Sequence, residues 1–125
     1  MLFDTDILIW VERGNAQAAA LIDSAEDRFL SAYSYMELLR GIQDKRKMHL
    51  LRDYLSACGF RTLPLTPEVS HRALIYMQEY TPGSGLTPGD ALIAATAVEN
   101  SLTLATGNKK HFSPIKDLRL YIFKS

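Results

Sequence analysis

At 125 residues, with 47% apolar and 22% charged side chains, the chain has the composition of an ordinary globular protein and length for one hydrophobic core, too little for two. Fourteen Lys and Arg balance fourteen Asp and Glu, which excludes a global field drawing the chain to nucleic acid or an anionic membrane, so any such contact is local. A single cysteine, Cys58, excludes an internal disulfide. The longest nearly apolar run, Ala91 to Val98, is too short to cross a bilayer, and no secretion signal is legible, so no membrane role and a cytoplasmic location are expected.

The pattern predicts one domain over residues 1–125. Met1-Leu2-Phe3 reads as a first strand that Asp4 closes, followed by a short helix from Ile7 to Glu12 that Asp6 caps and Gly14 ends. Asn15 to Ala25 gives a second short helix with Asn15 at its N-cap. Arg28 to Ala32 reads as a second strand, apolar at its centre as a doubly covered parallel strand would be. Ser34-Tyr35-Met36-Glu37 has the S-x-x-E form of a capping box and predicts a helix that Gly41 closes, with Glu37 just past a strand end. Asp44 to Cys58 is amphipathic with a basic start at Lys45 to Lys47, and Cys58 falls on its inner face. Phe60 to Leu65 is the third strand candidate.

Pro67, in Thr66-Pro67-Glu68, opens a helix whose inner face is Val69, Ala73, Tyr76, Met77 and Tyr80. Thr81 to Gly89, with two prolines and three glycines, predicts a mobile loop that could lie over a site. Thr87-Pro88-Gly89-Asp90 is a T-x-x-D capping box ahead of a helix apolar nearly all round, hence buried. Leu102 to Ala105 is the fourth strand, Asn108 caps one turn containing His111 and Phe112, and Leu118 to Phe123 is the last strand. Strands alternating with helices predict a three-layer α/β/α sandwich on a parallel sheet.

In such a sheet, ligands bind outside the carboxyl ends of the strands. Asp4, Glu37 and Asn108 fall at that edge, and Asp90 joins them if its helix starts there. Unpaired carboxylates brought close repel one another, raising some pKa values or recruiting a cation. Hard oxygen ligands suit Mg²⁺ or Mn²⁺, and such sites activate water against phosphodiesters. Capping alone also accounts for Asp6, Glu37, Asp90 and Asn108, so each residue keeps a structural reading beside the functional one. Lys45 to Lys47 and Lys109-Lys110 offer contacts to an RNA backbone or are solvated helix ends. His111 is a possible ligand or proton carrier, and Arg40 a partner for Glu37 or for phosphate.

Four stretches in order, L-F-D-T-D-I-L-I, S-Y-M-E-L-L-R-G, G-D-A-L-I-A-A-T-A and L-A-T-G-N-K-K-H-F, resemble a PIN domain, and specifically the VapC-type toxin ribonucleases of toxin–antitoxin pairs. The resemblance implies a Mg²⁺- or Mn²⁺-dependent endoribonuclease acting on RNA, a homodimer and a cognate antitoxin partner. It places Asp4, Glu37 and Asp90 on the family's acidic metal positions and Asn108 at the fourth, where many members have aspartate. Asp6, where the family commonly has Asn or Ser, is then a candidate outer-sphere ligand, and Thr106 a supporting hydroxyl. The rival readings are a PIN-like module that binds RNA or a partner without cutting, and an aspartate-based phosphotransfer protein. The latter is disfavoured because Asp6 is followed by Ile-Leu-Ile rather than the Gly-Thr turn of haloacid-dehalogenase-like enzymes, and because Asp53, where a receiver needs its mid-chain acceptor, falls inside a predicted helix.

Overall fold

A computed structural model describes residues 1–125. Five strands, β1 (Leu2–Phe3), β2 (Arg28–Ser31), β3 (Phe60–Leu63), β4 (Leu104–Thr106) and β5 (Leu120–Ile122), form one sheet in the order β3-β2-β1-β4-β5. Every pairing is parallel. Seven helices connect them: α1 (Thr5–Glu12), α2 (Ala16–Ser24), α3 (Ala32–Arg40), α4 (Lys45–Ala57), α5 (Pro67–Ser84), α6 (Pro88–Glu99) and α7 (Lys109–Phe112). From β1 the chain steps outward through β2 to β3, then returns to β4 on the other side of β1. The gap between β1 and β4 is therefore the topological switch point, the place where open α/β sheets bind ligands.

Apolar side chains cover both faces. On one face Ile7 and Leu8 of α1, Ala18 and Ile22 of α2 and Leu55 of α4 pack with Phe3 and Leu30 of the sheet. On the other, Val69, Ala73 and Tyr76 of α5 and Phe112 of α7 enclose α6, whose Ala91, Ile93, Ala94, Ala95 and Ala97 are all buried. The small side chains of α6 let its backbone lie close to the sheet, and Thr96, fully buried, satisfies its hydroxyl on the Leu92 carbonyl at 2.8 Å. Arg72 of α5 bridges Glu99 of α6 and Asp117 before β5, tying that layer together at the end remote from the switch point.

The expected three-layer sandwich is present, and Asn15, Thr87 and Asn108 cap helices where the sequence puts them. Asn15, Asp44, Thr66 and Thr87 each accept a backbone N–H in the first turn of the helix that follows. Two helix starts differ from expectation. Asp4, not Asp6, caps α1, because its carboxylate already meets the Thr5 N–H at 2.7 Å and the helix begins two residues early. Likewise Ser31, not Ser34, caps α3: the Ser31 hydroxyl accepts the Ser34 N–H at 2.9 Å, which moves Glu37 from the first turn into the second.

Further corrections are local. The fourth strand starts at Leu104 rather than Leu102, and the third ends at Leu63 rather than Leu65. The segment Thr81 to Gly89 is shorter as a loop than expected: α5 reaches Ser84, interrupted where Pro82 is extended (φ −65°, ψ 121°) and Gly83 turns left-handed (φ 91°), and α6 starts at Pro88. Ser84 holds the turn by donating to the Tyr80 carbonyl and accepting from the Leu86 N–H. Cys58 ends α4 and is half-buried rather than core.

Candidate metal centre at the strand switch point

Asp4 follows β1 and Thr106 ends β4, so the parallel register sets them side by side at the carboxyl edge. Thr106 donates its hydroxyl hydrogen to Asp4 Oδ2 at 2.7 Å, while Asp4 Oδ1 accepts the Thr5 N–H. The Asp4 carboxyl is nearly inaccessible to solvent, and its pKa is pushed up to about 7, first by burial and then by the neighbouring Asp6, with Asp90 adding to the same effect. The two hydrogen bonds act in the opposite sense and are outweighed.

Asp6 stands one half-turn along α1. Its Oδ2 accepts the Gly107 N–H at 3.0 Å, which ties the first turn of α1 to the loop after β4. A β-carbon at Gly107 would lie 2.9 Å from that oxygen, so glycine is what lets the backbone approach. The other oxygen, Asp6 Oδ1, is buried and has no hydrogen-bond partner, the one such side-chain atom in the chain. Burial raises the Asp6 pKa, and Asp90 contributes in the same direction.

Glu37 reaches the site from α3, where its Oε1 accepts the Thr5 hydroxyl at 2.7 Å. Asp90 enters from the N-terminus of α6, where its Oδ2 accepts the Thr87 N–H and completes the reciprocal box read from the sequence. The same oxygen lies 2.8 Å from His111 Nδ1. Asn108 caps α7 through Oδ1, which accepts the His111 N–H, and its Nδ2 lies against the His111 ring. Its own N–H donates to the Thr106 hydroxyl.

The structure thus gathers Asp4, Asp6 and Thr106 at one edge, with Asn108 bonded to Thr106 directly, Glu37 reached through Thr5, and Asp90 reached through His111 and Asn108. No three of the acids converge to the spacing of a closed metal-ligand set. Both oxygens of Asp4 are held by neighbours inside the protein, whereas Glu37, Asp90 and Asp6 each have one oxygen engaged, Oε1, Oδ2 and Oδ2 respectively. The donor set nevertheless fits a hard divalent cation: every candidate ligand is a carboxylate oxygen, they repel one another, and one buried oxygen is orphaned.

Of the other sequence candidates, Lys109 and Lys110 are exposed on α7 beside the site, Lys45 to Lys47 are exposed at the start of α4, and Arg40 forms an ion pair with neither Glu37 nor any other acid. Sequence reasoning did not find the roles of Thr5, Gly107 and Tyr33. Thr5 was legible only as the middle of D-T-D, and its service to Glu37 spans 32 residues. Tyr33 packs so closely on the first turn of α6 that a β-carbon at Gly89 would lie 2.5 Å from its ring. The turn before α6 also closes on the site, since a β-carbon at Gly85 would sit 3.3 Å from His111 Nε2.

A doubly wound α/β domain with a buried acidic cluster at its switch point is the class these features define. The model of the PIN domain matches residues 1–117, and the chain belongs to the PIN-domain family. It is 33% identical to Ribonuclease VapC10 of Mycobacterium tuberculosis over 123 residues, covering 95% of this chain and 90% of the relative. Among solved structures, a toxin–antitoxin complex from Klebsiella pneumoniae matches with a TM-score of 0.77 and 29% identity over 98% of both chains. FitAcB from Neisseria gonorrhoeae matches with a TM-score of 0.73 and 28% identity over 96% of this chain and 95% of that one. No helix of this protein is long and apolar enough to cross a membrane.

Proposed function

We propose that this protein is a metal-dependent endoribonuclease and the toxin of a toxin–antitoxin pair. The observation that carries the reading is the buried Asp4 carboxyl at the switch point, raised to about 7 by burial and by adjacent acids, a cost that a divalent cation would offset. Likeness to a named ribonuclease over nearly the whole chain, and to toxin–antitoxin complexes at 28–29% identity, supports the same activity and partner.

Asp4, Glu37 and Asp90 would hold Mg²⁺, with Mn²⁺ as an alternative. A bound ion of this kind supplies a polarised phosphate and a water made acidic enough to attack it. The chain's own part is positional. Thr106 and the Thr5 N–H fix both oxygens of Asp4, Thr5 orients Glu37, and the α6 capping box with His111 orients Asp90. Asn108 holds α7 in place, so that exposed Lys109 and Lys110 border the site where an RNA backbone would pass.

Between α1, α3 and α4 runs a groove of about 480 Å³ lined by Leu8, Val11, Leu38, Ile42, Leu51 and Tyr54 among others. It offers an antitoxin segment an apolar seat. The active form is proposed to be a homodimer, in the cytoplasm, where its RNA substrates lie. Incubating total RNA with the isolated protein tests the reading. Discrete fragments with Mg²⁺ or Mn²⁺ that vanish with EDTA and in Asp90→Asn are expected; intact RNA from folded protein with either ion would overturn it.

A further inference from the structure

The cations of this chain divide between those the protein holds and those it leaves free. Arg28, Arg72 and Arg119 donate to carbonyls or carboxylates, Arg61 pairs with Asp27, Arg13 lies over the Trp10 ring and Arg52 meets His49. Arg40 and Arg46 are the two arginines with no such partner. Both fall in residues 40–47, which carry four cations against the single acid Asp44. That acid is committed, because its carboxylate caps α4 on the Lys47 N–H. Lys45, Arg46 and Lys47 then form the first turn of α4 with no acid among them, all three exposed. Both the positive end of the helix dipole and their mutual repulsion oppose them there.

The topology turns these cations toward the acids. Helix α4 runs back into the parallel strand β3 through Cys58 and Gly59, so its start lies at the carboxyl edge of the sheet. Arg40 stands three residues beyond Glu37 on α3, and Lys47 lines the same groove as Gly41, which sets the two helix ends side by side. The layer on the other face of the sheet contributes Lys109 and Lys110 of α7, next to His111, which meets Asp90. Clustered acids repel a polyanion, and the chain has no net charge to attract one, so affinity for a phosphate backbone has to come from cations that flank them. We infer that Arg40 and Lys45 to Lys47 on one side, with Lys109 and Lys110 on the other, form a cation track that binds the RNA backbone on both flanks of the phosphate presented to the acids. The inference rests on the metal-nuclease reading and deepens it by naming what holds the substrate. Placement on both sides of the acids favours RNA over an acidic protein segment, for which one cluster would be enough.

Fluorescence anisotropy of labelled poly-uridine RNA in EDTA reads the track without cleavage. Lys45→Gln, Arg46→Gln and Lys47→Gln combined are expected to weaken binding at least about tenfold and to flatten the plot of log affinity against log salt by about 2, since each phosphate contact on a single strand contributes about 0.7. Lys109→Gln with Lys110→Gln is expected to flatten it by about 1.4. Lys116→Gln, beside Asp117 at the end remote from the acids, should change neither quantity. The α4 variant should melt no lower than the unmodified protein, because it removes cations from the positive end of a helix. Weaker RNA binding without lost stability is a pair of results that a purely structural role does not give. Unchanged affinity and slope in both variants, or no binding of poly-uridine by the unmodified protein at low salt, would overturn the track. Binding of poly-glutamate by a protein that leaves poly-uridine free would also overturn it and assign the cations to an acidic protein partner. Mn²⁺-dependent cleavage by the unmodified protein is followed separately: its absence would overturn the nuclease reading, while binding in EDTA still decides the track.

Discussion

Thr106 donates to Asp4 Oδ2 at 2.7 Å across a separation of 102 residues, and this bond adds a side-chain tie at the carboxyl ends of the two strands between which the sheet order reverses. Thr106 is fully buried, and its hydroxyl also accepts the Asn108 N–H at 3.0 Å. It therefore couples the acid at the end of β1 to the cap of α7.

Thr106→Val keeps the volume and removes both contacts. Leaving a buried carboxyl without its donor costs about 1–3 kcal/mol. Urea denaturation is expected to show a lower midpoint at unchanged slope, which reports a change in stability rather than in compactness. A midpoint equal to that of the unmodified protein would mean that water or another donor replaces the hydroxyl.

The raised Asp4 pKa predicts a pH dependence of definite sign. Its folded value, about 7, lies above the ordinary carboxylate value, so the folded state holds this proton to higher pH than the unfolded state. The contribution is therefore present below the ordinary value and is lost as pH rises toward 7. In EDTA, the melting temperature is expected to be lower at pH 8 than at pH 5.5. Asp4→Asn should flatten that difference, since its amide can accept from Thr5 and donate to the Thr106 hydroxyl without charge. The same difference in both proteins would assign the pH dependence to other groups.

Gly89 predicts a steric test of how α6 is placed. A β-carbon there would lie 2.5 Å from the Tyr33 ring, so Gly89→Ala should cost roughly 1–3 kcal/mol by overpacking. It should also shift the turn that carries Asp90. Removing the ring in Tyr33→Ala should cancel most of the added penalty in a double-mutant cycle. Additive losses would show that the two residues do not meet.

The groove between α1, α3 and α4 predicts separable functions. Leu50 lines it and is 58% exposed, so Leu50→Glu should leave the fold and RNA cleavage unchanged. Binding of the proposed antitoxin should weaken by at least about tenfold, the factor a buried charge of about 1.4 kcal/mol or more would give. Equal antitoxin affinity in titration calorimetry would move the docking surface elsewhere.

Local chemistry made much of this fold legible. Asn15, Thr87 and Asn108 cap the helices that the sequence assigns them, because a cap is decided by a side chain and a backbone amide within three residues. The same locality misled at α3, where S-x-x-E at Ser34 imitates a start but Ser31 already supplies the cap. Asp6 read as a cap for the same reason. What decides its position is the Gly107 N–H, 101 residues away, and no local pattern encodes that. The candidate acids were legible one by one as strand ends and first turns, whereas the bonds from Thr5 to Glu37, Thr106 to Asp4 and His111 to Asp90 exist only once the sheet is assembled. Thr81 to Gly89 read as an open loop from its glycines and prolines, yet Ser84 closes it on the Tyr80 carbonyl.

The central claim is that the acids at the β1–β4 switch point bind a divalent cation, and anomalous diffraction from crystals soaked in Mn²⁺ tests it most directly. The account predicts a strong anomalous peak bounded by Asp4, Glu37 and Asp90, lost in crystals of Asp4→Asn. A peak elsewhere on the molecule, or none in this cleft at saturating Mn²⁺, would contradict it.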